Sequence, residues 1–229
     1  MPSPAAAGGV GLDAARLGGK NIDHLVNIYW SGLNAAVWPG SRQVVPREVS
    51  MLAGIALGLA YSNVGEWLIH KYVLHGLGKK KGSFFSFHWH DHHKNARRGG
   101  MRDHDYDGVA QATTGQWKEV AGLAGLALAH LPLAKKAPWF VATVVACQAR
   151  YYYVHRRSHL DPEWARRNVP WHVDHHLGPN QHANWCVTAP WFDHLVGTRE
   201  PYVGTPSERP PRAERQAEAP SAPPWVHVP

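Results

Sequence analysis

Three apolar segments separated by polar stretches dominate the hydropathy pattern of the chain. Residues 49–69 contain one charged side chain, Glu66, residues 120–134 contain none, and residues 137–154 contain only Arg150. Each segment is long enough for a helix, whereas a bilayer crossing takes about 20 apolar residues. The first segment meets that length and the other two are marginal. The pattern therefore predicts an all-α, membrane-associated bundle of two to four hydrophobic helices.

The regions that flank these segments predict one domain with two tails. Residues 1–20 lack the basic start and apolar core of a signal peptide, so we expect a flexible leader. Residues 21–47 are moderately apolar and are expected to lie along the membrane interface or to pack on the other helices. Residues 201–229 contain eight prolines and are expected to form an extended, disordered tail. The domain itself is then expected over residues 48–200.

Charge and cysteine content narrow the class of protein. The two cysteines, Cys147 and Cys186, lie far apart in no pair motif, which supports neither a disulfide scaffold nor a thiolate metal site. The net charge is +7, and basic loops beside apolar segments are typical of the cytoplasmic side of a membrane protein rather than of a nucleic-acid-binding surface. Mean hydropathy is nevertheless negative, which favours a large cytosolic part. The basic residues concerned are Lys79, Lys80, Lys81, Lys94, Arg97, Arg98, Arg102, Lys118, Arg150, Arg156 and Arg157.

Histidine is unusually frequent, since the chain has 17 histidines against 17 acidic residues. Imidazole binds borderline metals such as iron and zinc. Most of these histidines fall into four groups next to the apolar segments, and this placement predicts a metal-binding cap on the cytosolic side. In chain order the groups are His70 and His75, then His88, His90, His92 and His93, then His155 and His159, and last His172, His175 and His176. The candidate ligands are His70, His75, His88, His92, His93, His155, His159, His172, His175 and His176.

Spacing in the third and fourth groups suits helical metal sites. His155 and His159 are four residues apart, so one face of a helix presents both rings and the pair can share a metal. His172, His175 and His176 occupy positions i, i+3 and i+4, which again share one helical face. This triplet is expected to close on a metal from one side.

The second group, in the stretch FHWHDHHK, allows two interpretations. His88 and His92 are four apart and His93 follows directly, and we favour these three as ligands. His90 and His93 offer an alternative pairing, so His90 stays a candidate. Asp91 lies between two of these histidines and either accepts a hydrogen bond from an imidazole, fixing its tautomer, or is simply solvated.

Two further residues near the fourth group are candidates for contact with a metal or with a ligand imidazole. Asp174 lies between His172 and His175 and is a candidate partner for a ligand imidazole, with simple solvation as the alternative. His182, in the stretch NQHANW, is a candidate ligand or a hydrogen-bond donor to one.

Topology predicts that the four groups meet. His70 and His75 are five residues apart, about 140° around an α-helix, so they either serve different metals or straddle a helix end. The second and third apolar segments are joined by the short turn KKAP, and a hairpin there would bring all four groups to one side. Ten imidazoles exceed the need of one metal, since catalytic zinc takes three protein ligands. We therefore expect two metals, and iron if the chemistry requires oxygen.

Residues 65–198 resemble the fatty acid hydroxylase/sterol desaturase superfamily of membrane di-iron enzymes. The resemblance rests on EWLIHKYVLHG, the HHK of the second group, YVHRRSH, HVDHH and the closing NWCVTAPWFDHLVGT. HKYVLHG is also similar to carotenoid hydroxylases, whereas the later motifs favour the fatty acid hydroxylase branch. Two features depart from the family pattern, namely the irregular histidine spacing of the second group and the small number of convincing spans.

The resemblance implies a non-haem di-iron monooxygenase in the membrane with its active site on the cytoplasmic face. It implies two Fe ions, O2, and electrons from an external reductase chain through a cytochrome b5-like or ferredoxin donor. The expected substrate is lipid-like, a fatty acyl, sterol or isoprenoid chain that is hydroxylated or desaturated at an unactivated C–H bond. Membrane lipids are the other expected partner, and no nucleic acid is expected.

Two other functions compete with this interpretation. A membrane zinc-dependent hydrolase would use similar histidine pairs, but such motifs usually include a glutamate as general base, and neither HKYVLH nor HRRSH contains one. A non-catalytic metal-binding membrane protein would more often show low-complexity histidine tracts than groups tied to helix ends.

Overall fold

The computed structural model describes residues 47–209. Within that range every regular element is helical and no strand occurs. The expected leader, the interfacial segment up to residue 46 and the tail beyond residue 209 lie outside the described residues.

The helices follow the predicted apolar segments and then extend beyond them. The three long helices, Arg47–Leu68, Gly115–His130 and Pro138–Leu160, contain most of the three apolar segments. The last of them continues through the polar sequence HRRSH. In chain order the elements are α1 (Arg47–Leu68), a π-helix (Ile69–Leu77), a second π-helix (His88–His92), α2 (His93–Arg98), a 3₁₀ turn (His104–Tyr106), α3 (Gly115–His130), a 3₁₀ turn (Leu131–Leu133), α4 (Pro138–Leu160), α5 (Pro162–Asn168), α6 (Pro170–Leu177) and α7 (Trp191–Val196).

Two glycines of α1 allow close packing against α4. A Cβ at Gly54 would lie 2.9 Å from the Cβ of Trp139, and a Cβ at Gly58 would lie 2.7 Å from the Cβ of Thr143. Only a residue without a side chain fits at such distances. The residue numbers of the facing positions rise together along the two helices, from Gly54 and Trp139 to Gly58 and Thr143. The helices α1 and α4 therefore run parallel and stay in register turn by turn.

The α3–α4 pair forms the hairpin that the sequence predicts. Near the start of α3, the Gln116 side-chain amide donates a hydrogen bond of 2.8 Å to the hydroxyl of Tyr152, which lies towards the end of α4. The first turns of α3 and the last turns of α4 therefore lie at the same end of the bundle. That end also carries the histidine-rich segments.

Buried carboxylates attach the C-terminal part of the domain to these helices. Glu66 of α1 accepts hydrogen bonds from the backbone amides of Val187 (3.0 Å) and Thr188 (3.1 Å) and from the Thr188 hydroxyl. Asp174 of α6 accepts hydrogen bonds from the amides of Tyr202 (3.0 Å) and Val203 (2.7 Å). The first residues of the expected tail therefore pack on α6, because their backbone amides have a buried acceptor there.

One described helix, Val49–Leu77, is long and apolar enough to cross a membrane. It carries large apolar side chains on its outer surface, with Leu52 62% and Leu57 50% exposed, and Leu128 of α3 is 65% exposed.

Candidate metal centre

Nine buried histidines form two clusters that could each hold a metal ion. The side-chain nitrogens within a cluster all lie within 4.8 Å of one another. The clusters adjoin, since the ring centroids of His93 and His176, one from each cluster, are 4.4 Å apart. The first cluster consists of His70, His75, His88, His93 and His175, and the second of His92, His155, His159 and His176.

The π-helices explain how the first cluster is assembled. In an α-helix, residues five apart point in different directions, whereas a π-helix forms i to i+5 hydrogen bonds and stacks such residues. His70 and His75 lie in one π-helix and have ring centroids 5.1 Å apart. His88 and His93 are also five apart, span the second π-helix and have centroids 4.9 Å apart. Both pairs consequently face the same cluster.

The tautomer of two histidines in the first cluster follows from backbone acceptors. The Nδ1–H of His70 donates to the carbonyl of Trp185 (2.5 Å), and that of His175 donates to the carbonyl of Ala183 (2.7 Å). A neutral imidazole carries one N–H, so the Nε2 of each ring is a bare lone pair. Both lone pairs point into the cluster.

Three histidines of the second cluster are fixed in the same tautomer. His159 Nδ1–H donates to the carbonyl of Met101 (2.8 Å), His92 to the carboxylate of Asp103 (2.8 Å), and His155 to the carboxylate of Glu119 (2.7 Å). Carboxylates that hold the outer nitrogen orient a ligand ring and increase its basicity.

The separation between His92 and His155 suits two nitrogens that share a metal ion. Their Nε2 atoms are 3.2 Å apart, and since both Nδ1 atoms carry the proton, neither Nε2 has a hydrogen to donate. Two facing lone pairs at that distance repel. Nitrogens that share one metal at about 2.1 Å lie about 3.0–3.4 Å apart for angles between roughly 90° and tetrahedral. The donor atoms therefore fit a metal ion.

Short nitrogen–nitrogen distances recur through the first cluster. His75 Nε2 lies 3.0 Å from His93 Nε2, and His175 Nε2 lies 3.2 Å from each of them. His70 Nε2 lies 3.0 Å from His88 Nε2. These distances match those expected around a common metal.

Burial lowers the pKa of seven histidines in and beside the two clusters. Desolvation is the main cause for each of these rings, and the neighbouring imidazoles lower the pKa further. At neutral pH their lone pairs are therefore available, as metal binding requires. The rings concerned are His88, His92, His93, His159, His172, His175 and His176.

The structure divides the triplet that the sequence assigns to one metal. His175 belongs to the first cluster and His176 to the second, because adjacent residues on a helix point about 100° apart. His172 lies beside the second cluster, with its Nε2 3.1 Å from His159 Nε2. By contrast, His155 and His159 fall in one cluster, as their spacing predicts.

The four residues with weaker sequence support lie outside both clusters. His90 contacts the carbonyl of Lys79 through its Nε2 (3.1 Å), and Asp91 is exposed. His182 is exposed and stacks on the indole of Trp89 at 5.5 Å.

Among residues 47–209, Asp174 contacts no imidazole within hydrogen-bonding distance. Besides the two backbone amides of the C-terminal segment, its carboxylate forms a buried ion pair of 2.7 Å with Arg199. Its charge is thus neutralised by an arginine, and its role in the structure is to hold residues 199–203 against α6.

Sequence reasoning missed the carboxylates that orient the second cluster. Asp103 is fully buried and accepts hydrogen bonds from His92, Asn95 (3.2 Å) and the amide of Asp105 (3.1 Å). Glu119 accepts from His155 and from the hydroxyl of Tyr106 (2.7 Å). A signal for Glu119 was present, since it is the only acidic residue in the 53 positions 108–160 that contain the hairpin.

An apolar cavity of about 470 Å³ lies between α1, α3 and α4 and reaches both clusters. His70 and His88 of the first cluster and His155 of the second line one end of it. Gly122 also lines the wall, and a Cβ there would meet no atom within 4 Å. The cavity therefore offers apolar space directly beside the candidate metal ligands.

Comparison of the chain with protein-family models, curated proteins and solved structures gives no match.

Proposed function

We propose that this protein is a di-iron, O2-dependent oxidoreductase that hydroxylates or desaturates an unactivated C–H bond of a lipid-like substrate. The observation that carries the proposal is the pair of facing ring nitrogens on His92 and His155, whose spacing suits a shared metal ion. The presence of two adjoining clusters supports the proposal of two metals, and the apolar cavity beside them supports the proposal of a lipid-like substrate.

An all-nitrogen donor set suits iron or zinc. Bound iron would supply activation of O2, which an unactivated C–H bond requires because it offers no polar handle. The chain supplies the orientation of the ligands. Asp103, Glu119 and the carbonyl of Met101 hold the outer nitrogens of three rings, so that the inner nitrogens are fixed before a metal arrives.

The cavity would hold the reacting carbon against the clusters. His70, His88 and His155 form its polar end, and the rest of the wall is mainly apolar. Positioning of this kind is the chief way in which a protein accelerates attack on an unreactive bond. Water exclusion follows from the same apolar lining.

The exposed apolar surface supports a place in the membrane. The helix Val49–Leu77 is long enough to cross a bilayer, and its exposed leucines would contact acyl chains. The exposed side chains of Lys79, Lys80 and Lys94 lie near the metal-binding end, which favours a cytoplasmic orientation for that end. A cytochrome b5-like or ferredoxin donor would supply electrons there.

Metal analysis combined with O2 uptake tests the proposal. The purified chain, reconstituted with iron and supplied with a reductase and electron donor, is expected to bind two irons and to consume O2 only when reductant is present. His176→Ala is expected to lose iron, whereas His90→Ala, outside both clusters, is expected to keep it. Binding of zinc without O2 uptake would instead favour a zinc-dependent hydrolase.

A further inference from the structure

Two buried polar atoms in the cavity wall have no hydrogen-bond partner among residues 47–209. Ser62 Oγ on α1 and Gln148 Oε1 on α4 are shielded from solvent, and neither forms a hydrogen bond with any residue in the range 47–209. Both side chains line the cavity. Buried polar groups in native proteins are nearly always paired, so these two atoms point to a partner other than the residues of this range, such as a ligand in the cavity.

The packing of α1 against α4 places these two side chains at one level. Gly58 faces Thr143 across the parallel pair. One turn further along both helices, Ser62 reaches the level of Cys147 and Gln148, since a turn takes 3.6 residues in each helix. A single ligand group between the helices can therefore contact both side chains.

Glycines leave room for that ligand group. Gly65 on α1 and Gly122 and Gly125 on α3 line the cavity, and a Cβ added at any of them would meet no atom within 4 Å. The cavity wall thus has open space at these three glycines.

The distance from this polar pair to the clusters follows from the helix rise. Ser62 lies eight residues before His70, and Gln148 lies seven residues before His155. At 1.5 Å per residue the pair lies roughly 10–12 Å from the level of these ligands.

We propose that Ser62 and Gln148 together bind a hydroxyl group of the substrate, roughly 10–12 Å from the carbon that faces the clusters. A hydroxyl oxygen both donates and accepts: it would donate to Gln148 Oε1 and accept from the Ser62 hydroxyl. A plain hydrocarbon would leave both protein atoms unpaired. The inference rests on the proposed function for the identity of the occupant, and it narrows the substrate class to hydroxyl-bearing lipids.

Competition binding with matched probes tests this inference. Full-length protein in detergent binds a fluorescent fatty acid, which is then displaced by 1-octadecanol or by its methyl ether. The ether can accept from Ser62 but cannot donate to Gln148. The wild-type chain is expected to bind the alcohol about tenfold more tightly than the ether, the effect of one hydrogen bond.

Near-isosteric variants separate the two roles. Gln148→Met is expected to remove the preference for the alcohol, and Ser62→Cys is expected to weaken binding of alcohol and ether alike. Thr143→Val removes a hydroxyl one turn away on the same helix, outside the cavity lining, and is expected to leave the preference unchanged.

The outcomes distinguish this inference from the proposed function, because probe binding needs neither metal nor O2. Equal affinities for alcohol and ether in the wild-type chain, no displacement by either probe, or a preference that survives Gln148→Met would overturn the hydroxyl site. If iron loading and O2 uptake were then normal, only this inference would fail. A clear alcohol preference in a chain that never binds iron would refute the proposed function alone.

Discussion

Replacing Glu119 by glutamine tests how the second cluster is held. The carboxylate accepts hydrogen bonds from His155 Nδ1–H and from the Tyr106 hydroxyl, both at 2.7 Å. Glutamine keeps the size of the side chain but removes its charge, and charge-assisted hydrogen bonds are about twice as strong as neutral ones. Loss of such a partner typically lowers metal affinity about 10- to 100-fold, or about 1.4–2.7 kcal/mol.

The expected loss is confined to one metal. Glu119 hydrogen-bonds to His155 of the second cluster and to no histidine of the first. Glu119→Gln should therefore release one ion at chelator concentrations about 10- to 100-fold lower than the wild-type chain requires, while the other ion stays bound. Native mass spectrometry during a chelator titration counts the metals on each chain. Glu163→Gln, an exposed glutamate on α5, is the matched control.

Two results would refute this reasoning. Wild-type metal content at every chelator concentration would mean that the hydrogen bond to His155 does not support the site. Simultaneous release of both ions would mean that the two clusters bind metal as one unit. An unchanged melting temperature of the metal-free variant would show that either result concerns the site and not the fold.

Three further predictions concern the cavity, the buried imidazoles and the buried carboxylate of Asp193. Gly122→Leu should fill open cavity space and abolish binding of a fluorescent fatty acid while metal content stays normal; retained probe binding would place the ligand elsewhere. The metal-free protein should lose stability as the pH falls below about 6.5, because burial lowers the pKa of His92, His159 and His175, and these rings take up protons there in the unfolded chain but not in the folded one. The free energy of unfolding should fall by at most about 1.4 kcal/mol per pH unit for each such histidine. Melting temperatures measured between pH 7.5 and 5.5 would detect this loss, and a flat profile would count against buried neutral rings. Asp193→Ala should destabilise the fold by about 2–4 kcal/mol in chemical denaturation, since this buried carboxylate accepts from the amides of Trp185 (2.9 Å) and Cys186 (2.8 Å); a change no larger than that of Glu163→Ala would show that these amides find other partners.

The sequence predicts the convergence of the histidines better than their assignment to clusters. The positions and lengths of the apolar segments locate the three long helices, and the short turn between α3 and α4 predicts the hairpin. His155 and His159 share a cluster because α-helical spacing holds at the end of α4. His175 and His176 separate because they point in different directions from α6 and so reach different clusters, which their spacing does not reveal without the positions of the other ligands.

The partners of the ligands escape sequence reasoning for a different reason. Asp103 and Glu119 lie 11 and 36 positions from the histidines that they orient, and no local spacing rule connects residues at such separations. The acceptors for His70, His159 and His175 are backbone carbonyls, which every residue possesses. Such contacts become visible only when the chain path is known.

The wide turns of residues 69–77 are what allows two ligands five residues apart to lie on one face of the helix. A π-helix can be regarded as an α-helix that has gained one residue, which its neighbours absorb as a bulge. Excising one residue between His70 and His75 would leave the pair four apart and permit ordinary α-helical winding, with both rings still on one face. The same excision would remove the bulge, because no extra residue would remain for its neighbours to absorb. The bulge therefore holds the extra residue without changing the phase between the long helix and the segment that follows it, and a deletion series through residues 71–74 would show whether the protein requires the five-residue spacing or only two rings on one face.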